Sequence, residues 1–373
     1  MIYFDNAATT KPSILALEKA SKFNNDCFFN PSTLYSGGLS NSREIKKAKE
    51  SILRNLGAAN FDVVFTSCGS ESDNMAIFCC VKRGIFLTTK GEHAAVYKSF
   101  LELKNRGLNV DFIDLLPDGR VDEEKLYAYL ENNKVDFLSL VHVNNETGAI
   151  NNVNNIAKKV KEINPKTIIH VDGVQAYGKI PFRLSKEIDL YAISAHKINA
   201  LKGVGALIKR KNLNISPLIF GGGQEVGLRS GTENVFGIKV FEYAGEEKYK
   251  NLKENFDKVQ KIKSTILEKL DRENFVTISS ENSSPYVLTV SAKGLRGEVI
   301  MHSLELEGII IGNGSACSSK NRYSRVIEAC GYKNDVLDGV IRLSFSSENT
   351  IEEGLIVSEK LNETVRKLKG IMR

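Results

Sequence analysis

Long uninterrupted hydrophobic runs are missing from this chain. No stretch approaches the ~18 apolar residues of a membrane-spanning helix, and the start, MIYFDNAATTKP, lacks a basic segment followed by an apolar run. The expectation is therefore no membrane partner, no export signal and a cytoplasmic location. Charge of one sign is scarce too: Lys and Arg outnumber Asp and Glu by 51 to 45, a net charge of +6. That mild excess suits an anionic ligand but is no nucleic-acid footprint, so no direct nucleic-acid partner is expected. The densest lysine cluster, EEKYKNLKENFDKVQKIKSTILEKL, is interleaved with acids at helical spacing and reads as a solvated helix face. Internal repeats, low-complexity linkers and sustained heptads are also absent. The six cysteines form no repeated C-x-x-C spacing, which argues against a zinc site, and no metal is expected.

What is present is alternation. SREIKKAKESILRNLGA sets Ile45, Ala48, Ile52 and Leu56 on one helical stripe that stops at Gly57. Then come VVFTS, GIFLTT, VDFIDL, VDFLSLVHV, KTIIHVD, DLYAISAHK and GVGALIKR, strand-like runs mostly separated by helical segments. Such a pattern predicts an α/β domain with a mostly parallel sheet covered on both faces. A long polar-faced helix near 240–270 reads as a connector, with a domain boundary near residue 255. Beyond it, YVLTVSAKG, GEVIMHSLELEG and VIRLSFSSENTIEEGLIVSEKL suggest a smaller α+β domain.

The polar residues that follow the apolar runs carry the functional signal. VVFTS leads into Cys68, Gly69, Ser70 and Glu71, and FLTT into Lys90, Gly91, Glu92 and His93. LSLVHV ends in Asn144, Asn145 and Glu146; TIIHV in Asp172 and, three residues on, Gln175; YAIS in Ala195, His196 and Lys197. Ligand sites of parallel sheets gather at the carboxyl ends of the strands, so these groups converge on one edge. They comprise an amine nucleophile, a carboxylate, a flat ring and a helix start, GSESDN, whose free N–H groups suit a phosphate. Pyridoxal 5'-phosphate requires that set.

The chain resembles the cysteine desulfurases of the NifS/IscS type, within the class V aminotransferase family and the fold-type I pyridoxal-phosphate enzymes. The resemblance is carried nearly end to end by YFDNAATT, FTSCGSESDN, EHAAV, HVNNETG, HVDGVQ, SAHKINALKGVGAL, RSGTENV, NGSACSS and IRLSFS. It implies a large domain, 15–255, with a mostly parallel seven-stranded sheet. Residues 1–14 and 256–373 would form the smaller α+β domain that carries the cysteine loop.

The same resemblance assigns roles. Lys197 matches the lysine that holds the cofactor covalently and then shuttles the substrate's α-proton. Asp172 would pair with the pyridine nitrogen, His93 stack on the ring, and Gln175 bond the ring's phenolic oxygen. Asn145 matches a residue near that oxygen and the substrate carboxylate, which Arg342 would clamp bidentately. Gly69, Ser70, Ser194 and His196 would hold the phosphate, with Thr232 supplied by the other subunit of a homodimer.

Cys317, in GNGSACSSKNR, sits among glycines and serines that cannot pack it into a core. By resemblance it is the sulfur acceptor: L-cysteine yields L-alanine, and Cys317 keeps the sulfur as a persulfide for an acceptor protein, an iron–sulfur scaffold or a tRNA-thiolating enzyme. Lys320, Arg322 and Arg325 are expected to lower its thiol pKa. Cys330 reads instead as a buried small hydrophobe on a helical face with Tyr323 and Ile327. Departures from the family pattern fall at Cys68, Ser70, Ala195, Ala200, Leu201, Ser346 and Ser347. Housekeeping members carry a tail that helps dock an iron–sulfur scaffold, and with the sequence ending at LKGIMR the resemblance does not by itself imply that partnership. A selenocysteine lyase, or another pyridoxal-phosphate lyase or aminotransferase, would use the same pocket without an acceptor thiol. A non-catalytic scaffold is disfavoured by Lys197 with Asp172, and a nicotinamide enzyme by GGGQEVG, which follows no strand–turn–helix fingerprint.

Overall fold

The computed structural model describes residues 1–313 and 323–371. After a three-residue strand, β1 (Ile2–Phe4), and two helices, α1 (Ile14–Asp26) and α2 (Ser36–Leu56), the seven apolar runs become seven strands. These are β2 (Phe61–Thr66), β3 (Ile85–Thr89), β4 (Asn109–Ile113), β5 (Val135–Val141), β6 (Ile168–Asp172), β7 (Leu190–Ser194) and β8 (Gly205–Arg210). They form one sheet in the order β2-β8-β7-β6-β5-β3-β4. Only β8 runs against its neighbours, pairing antiparallel with both β2 and β7. The expected mostly parallel sheet is therefore present, and its parallel crossovers carry α3 (Gly69–Cys80), α4 (Ala94–Asn105), α5 (Glu123–Asn132) and α6 (Val153–Ile163).

The near-continuous apolar strands follow from helices on both faces. Alternate side chains enter different cores: Val64, Phe86, Phe137, Leu190, Ala192 and Leu207 pack with Met75 and Ile77 of α3. Their neighbours Val63, Leu87, Leu138, Tyr191, Ile193 and Ile208 pack with Ile45, Ile52 and Leu56 of α2. This is the period-2 rule with water excluded from either side. In β6 the apolar Ile169 and Val171 take the α2 face. His170 and Asp172, one position off, therefore take the α3 face. The α2 stripe ends where expected, at Gly57 with φ 64, a left-handed conformation that glycine adopts without strain.

A second, five-stranded sheet has the order β1-β11-β12-β10-β9. Its strands are β9 (Phe275–Thr277), β10 (Val287–Ala292), β11 (Ile309–Asn313) and β12 (Val340–Ser344), joined by β1 running parallel to β11. The expected single helix near 240–270 is two: α7 (Val235–Lys250) and α8 (Leu252–Lys269). They break at Asn251, whose φ −114 and ψ 22 leave the helical region. The cause is a change of core, since Ile238, Val240 and Phe241 pack under the first sheet while Val259, Ile262 and Ile266 pack with Phe4 and Leu288 under the second. Among the described residues no helix is long and apolar enough to cross a membrane. Cys330 is buried, as expected.

Candidate active site

Register delivers the polar strand ends to one place. Val141 is level with Asp172, which is level with Ala192, while Ser194 of β7 is level with Gly205 of β8. The loops beyond these residues close around a cavity of about 230 Å³. It is lined by Gly69, Ser70, His93, Asn145, Asp172, Gln175, Ser194, His196, Lys197 and Arg342, together with Ala7, Ala8, Cys68 and Asp73. Thr232 lies elsewhere, lining a separate cavity of about 190 Å³ with Glu225, Arg229 and Asn234. Cys317, Lys320 and Arg322 lie outside the described residues.

The floor is electrostatically organised. Lys197 Nζ donates to the carbonyl oxygens of Ala7 at 2.6 Å and Ala8 at 2.8 Å. Ala7 O also accepts from Gln175 Nε2 at 2.9 Å, and Gln175 Oε1 accepts from Lys179 Nζ at 2.7 Å. Asp172 ends β6 fully enclosed; burial raises its pKa, opposed by His93, the Val174 N–H and Lys197. His93 caps α4, its Nδ1 accepting from Ala95 N at 3.2 Å. Burial lowers its pKa despite Asp172, with Lys197 and Arg325 adding to the effect, so the ring is a neutral plate. His196 is pushed down to about 4 by burial and by Lys197 and Lys202.

The helix start is built for an anion. Cys68, the N-cap of α3, makes no side-chain capping bond, so the first N–H groups are left for a ligand. Ser194 Oγ, buried at 2 % exposure, has no hydrogen-bond partner among the described residues. A Cβ on Gly69 would come 2.8 Å from Val174 Cγ2, so a larger residue here would have to displace Val174 or the helix start. Arg342 is 4 % exposed. Its Nη2 meets Asp5 Oδ1 at 2.7 Å and its Nη1 donates to Asn145 O at 3.1 Å, while Nε has no partner among the described residues.

The Arg325 guanidinium donates to the carbonyls of Lys90 and Glu92 and lies 3.7 Å from the Tyr97 ring centroid; its expected action on Cys317 falls on a residue outside the described ones. Ser324 Oγ donates to the buried carboxyl of Glu146. At the other side, Gly312 of β11 is level with Arg342 of β12. The described chain therefore lies beside Arg342 before residues 314–322, and beside Lys90, Glu92 and Glu146 after them.

Sequence reasoning missed Asp5, the Ala7 and Ala8 carbonyls, Asp73 and Lys179. YFDNAATT carried the resemblance without a role, and in QAYGK Lys179 lies one turn past Gln175. Asp73 stands four residues after Gly69, the spacing that returns a helix to the same face.

Residues 2–354 match the profile of the Aminotransferase class-V family, and the chain belongs to that family. Within it, the chain is 36% identical over 383 residues to a cysteine desulfurase of Nostoc sp. (strain PCC 7120 / SAG 25.82 / UTEX 2576), covering 100% of this chain and 94% of that protein. It is 32% identical over 378 residues to a putative cysteine desulfurase IscS 1 of Bacillus subtilis, covering 98% and 99%. A solved NifS-like protein superposes with a TM-score of 0.91 at 33% identity, covering 98% of this chain and 99% of that one.

Proposed function

We propose that this chain is a pyridoxal-phosphate-dependent cysteine desulfurase that converts L-cysteine to L-alanine and passes the sulfur, as a persulfide on Cys317, to an acceptor protein. The observation that carries this reading is the single cavity shared by Lys197, Asp172, His93 and Arg342. The cavity fits pyridoxal phosphate: an uncapped helix start and an orphaned Ser194 hydroxyl suit the phosphate, and a buried carboxylate suits the ring nitrogen. When bound, that group supplies an electron sink for the substrate's α-carbon.

The chain's own residues do the rest. Lys197 holds the cofactor by its amine and, once released, moves the proton at the substrate's α-carbon. Asp172 keeps the ring nitrogen protonated, His93 supplies a neutral stacking face, and Gln175 and Asn145 bond the phenolic oxygen. Gly69, Ser70, Ser194 and His196 seat the phosphate, completed by Thr232 of a second copy in a homodimer. Arg342 clamps the substrate carboxylate. The Cys317 thiolate attacks the substrate's sulfur; the new S–S bond forms as the C–S bond breaks, and the β-carbon takes a proton to leave alanine. Residues 15–255 form the cofactor-binding domain, with 1–14 and 256–373 the smaller one. Homologues named cysteine desulfurase at this similarity support the reading.

The test is sulfide and alanine release from L-cysteine under reductant, with Cys317→Ala beside the parent chain. Loss of sulfide with cofactor retained supports the acceptor-thiol mechanism. Full retention points to a lyase of the selenocysteine type, which needs no such thiol. A parent chain in which borohydride traps no cofactor on Lys197 sinks the assignment.

A further inference from the structure

Behind Asp172 lies a buried polar chain that none of the roles above employs. His170, two residues earlier on β6, presents its ring to the same face. Its Nδ1 lies 2.9 Å from Ser139 Oγ on β5, and its Nε2 lies 3.5 Å from Asp73 Oδ1 on α3. The ring stacks on Phe137, centroids 6.3 Å apart. Asp73 is 1 % exposed, and ligating atoms of Asp73, His93 and Asp172 all fall within 4.8 Å of one another. Neither Asp73 Oδ1 nor His170 Nε2 has a hydrogen-bond partner among the described residues, so they face only each other at long range.

Two enclosed carboxyls this close strongly resist ionising together. Their partners decide where the charge stays. Asp172 accepts from Val174 N at 2.9 Å and has Lys197 beside it, both favouring its anion. Asp73 has no such help. From β6 it faces Asp172 and His170, from the loop after β3 Glu92 and His93, and from the start of its own helix Cys68; burial first, and then the charge of Asp172, oppose its ionisation. His170 is no counter-cation, because burial pushes it down to about 3. Burial likewise pushes Glu92 up to about 8, so that carboxyl is largely neutral near pH 7.

We propose that Asp73, lodged between Asp172 and the neutral His170, is a positioning residue: it carries the one proton of the carboxyl pair and confines the negative charge to Asp172. Asp73 also lines the cavity wall, and its part there is to set the charge on Asp172. A charged Asp73 would share or displace the anion that the ring nitrogen requires, whereas a neutral one leaves it in place. The idea rests on the reading of the pocket as a pyridoxal-phosphate site for its consequence, though not for the proton's location.

Two measurements on the full chain test it separately. In infrared spectra at neutral pH, Asp73→Asn should remove intensity from the protonated-carboxyl C=O band and leave the carboxylate bands unchanged. Loss from the carboxylate bands instead would overturn the proposal, whatever the pocket binds. In absorbance titrations with pyridoxal phosphate, Asp73→Asn, which mimics the protonated acid, should weaken binding far less than Asp172→Asn does. Asp172→Asn should weaken binding by about tenfold or more. An Asp73→Asn chain that is folded yet loses as much as Asp172→Asn would place the needed charge on Asp73 and overturn the proposal. A parent chain that takes up no pyridoxal phosphate would sink the functional reading and leave the infrared result to decide.

Discussion

Arg342 Nη2 lies 2.7 Å from Asp5 Oδ1, joining the last strand of the second sheet to the residue that follows its first. The pair sets the plane of a guanidinium that has one more donor, Nε, without a partner among the described residues. A fork held on one side offers the other in a fixed orientation, which a flexible ammonium does not.

Asp5→Asn keeps the size of that side chain and weakens the charge-assisted bond. Arg342 then loses orientation rather than charge. The expected outcome is a KM for L-cysteine raised by about three- to tenfold with kcat changed less. Steady-state alanine formation measures both. An unchanged KM would mean that Asp5 has no part in aiming the arginine.

Gly69→Ala tests the helix start. The new Cβ would sit 2.8 Å from Val174 Cγ2 and 3.3 Å from Ser194 Cβ. Either the Val174 side chain turns or the first turn of α3 lifts away from Ser194, at a cost of about 1–3 kcal/mol. Pyridoxal-phosphate affinity should fall by roughly ten- to a hundredfold, read by absorbance titration. Wild-type affinity would show that the phosphate does not need this backbone approach.

The first sheet was legible because strands buried on both faces must be apolar throughout, and each of the seven runs from VVFTS to GVGALIKR became one of its strands. The polar residues closing those runs were legible as one edge for the same reason: parallel register leaves them no other place. Long-range pairing and helix interiors were not. β1 is too short for periodicity to register, and its partner β11 lies some three hundred residues on. Asp73 sits in a polar-looking helix start, ESDN, where nothing in the sequence distinguishes a buried carboxyl from a solvated one. The break at Asn251 leaves no mark either, because lysine-rich helical spacing continues through it while the supporting core changes underneath.

Glu225 and Val226 are a site of stored strain. Both hold positive φ, 50 and 58, and a β-branched residue there is especially costly. Glu225 is held in place by Lys49 Nζ at 2.6 Å and by the Phe65 N–H at 3.0 Å. Val226 is 93 % exposed and contributes no core packing in the chain itself. Val226→Gly should therefore stabilise the chain by about 1 kcal/mol, relief of strain outweighing the added chain entropy. Urea unfolding midpoints test this; a lower midpoint would show that the valine is needed in place.

Lys179 offers a pH test with a definite sign. It is buried, donates to Gln175 Oε1, and lies 5.9 Å from the Tyr286 ring centroid. Burial lowers its pKa well below the usual lysine value, helped by the like charges of Lys197, Lys248 and Arg342. The folded chain thus binds fewer protons here than the unfolded one, and stability from this residue rises with pH toward the unfolded lysine pKa of about 10.4. It is lost as pH falls through the depressed folded value. Lys179→Met abolishes that pH dependence and leaves Gln175 Oε1 without its donor, costing about 1–3 kcal/mol when the amine is neutral. The parent chain's advantage over Lys179→Met should therefore grow as pH rises toward about 10.4, measured as the difference in unfolding free energy. A difference that shrinks over that range would mean that Lys179 is charged in the fold and held by an anion. Gln175, free to turn once the lysine is gone, should also lose its grip on a bound ring oxygen, so pyridoxal-phosphate affinity should drop by about tenfold in the same variant.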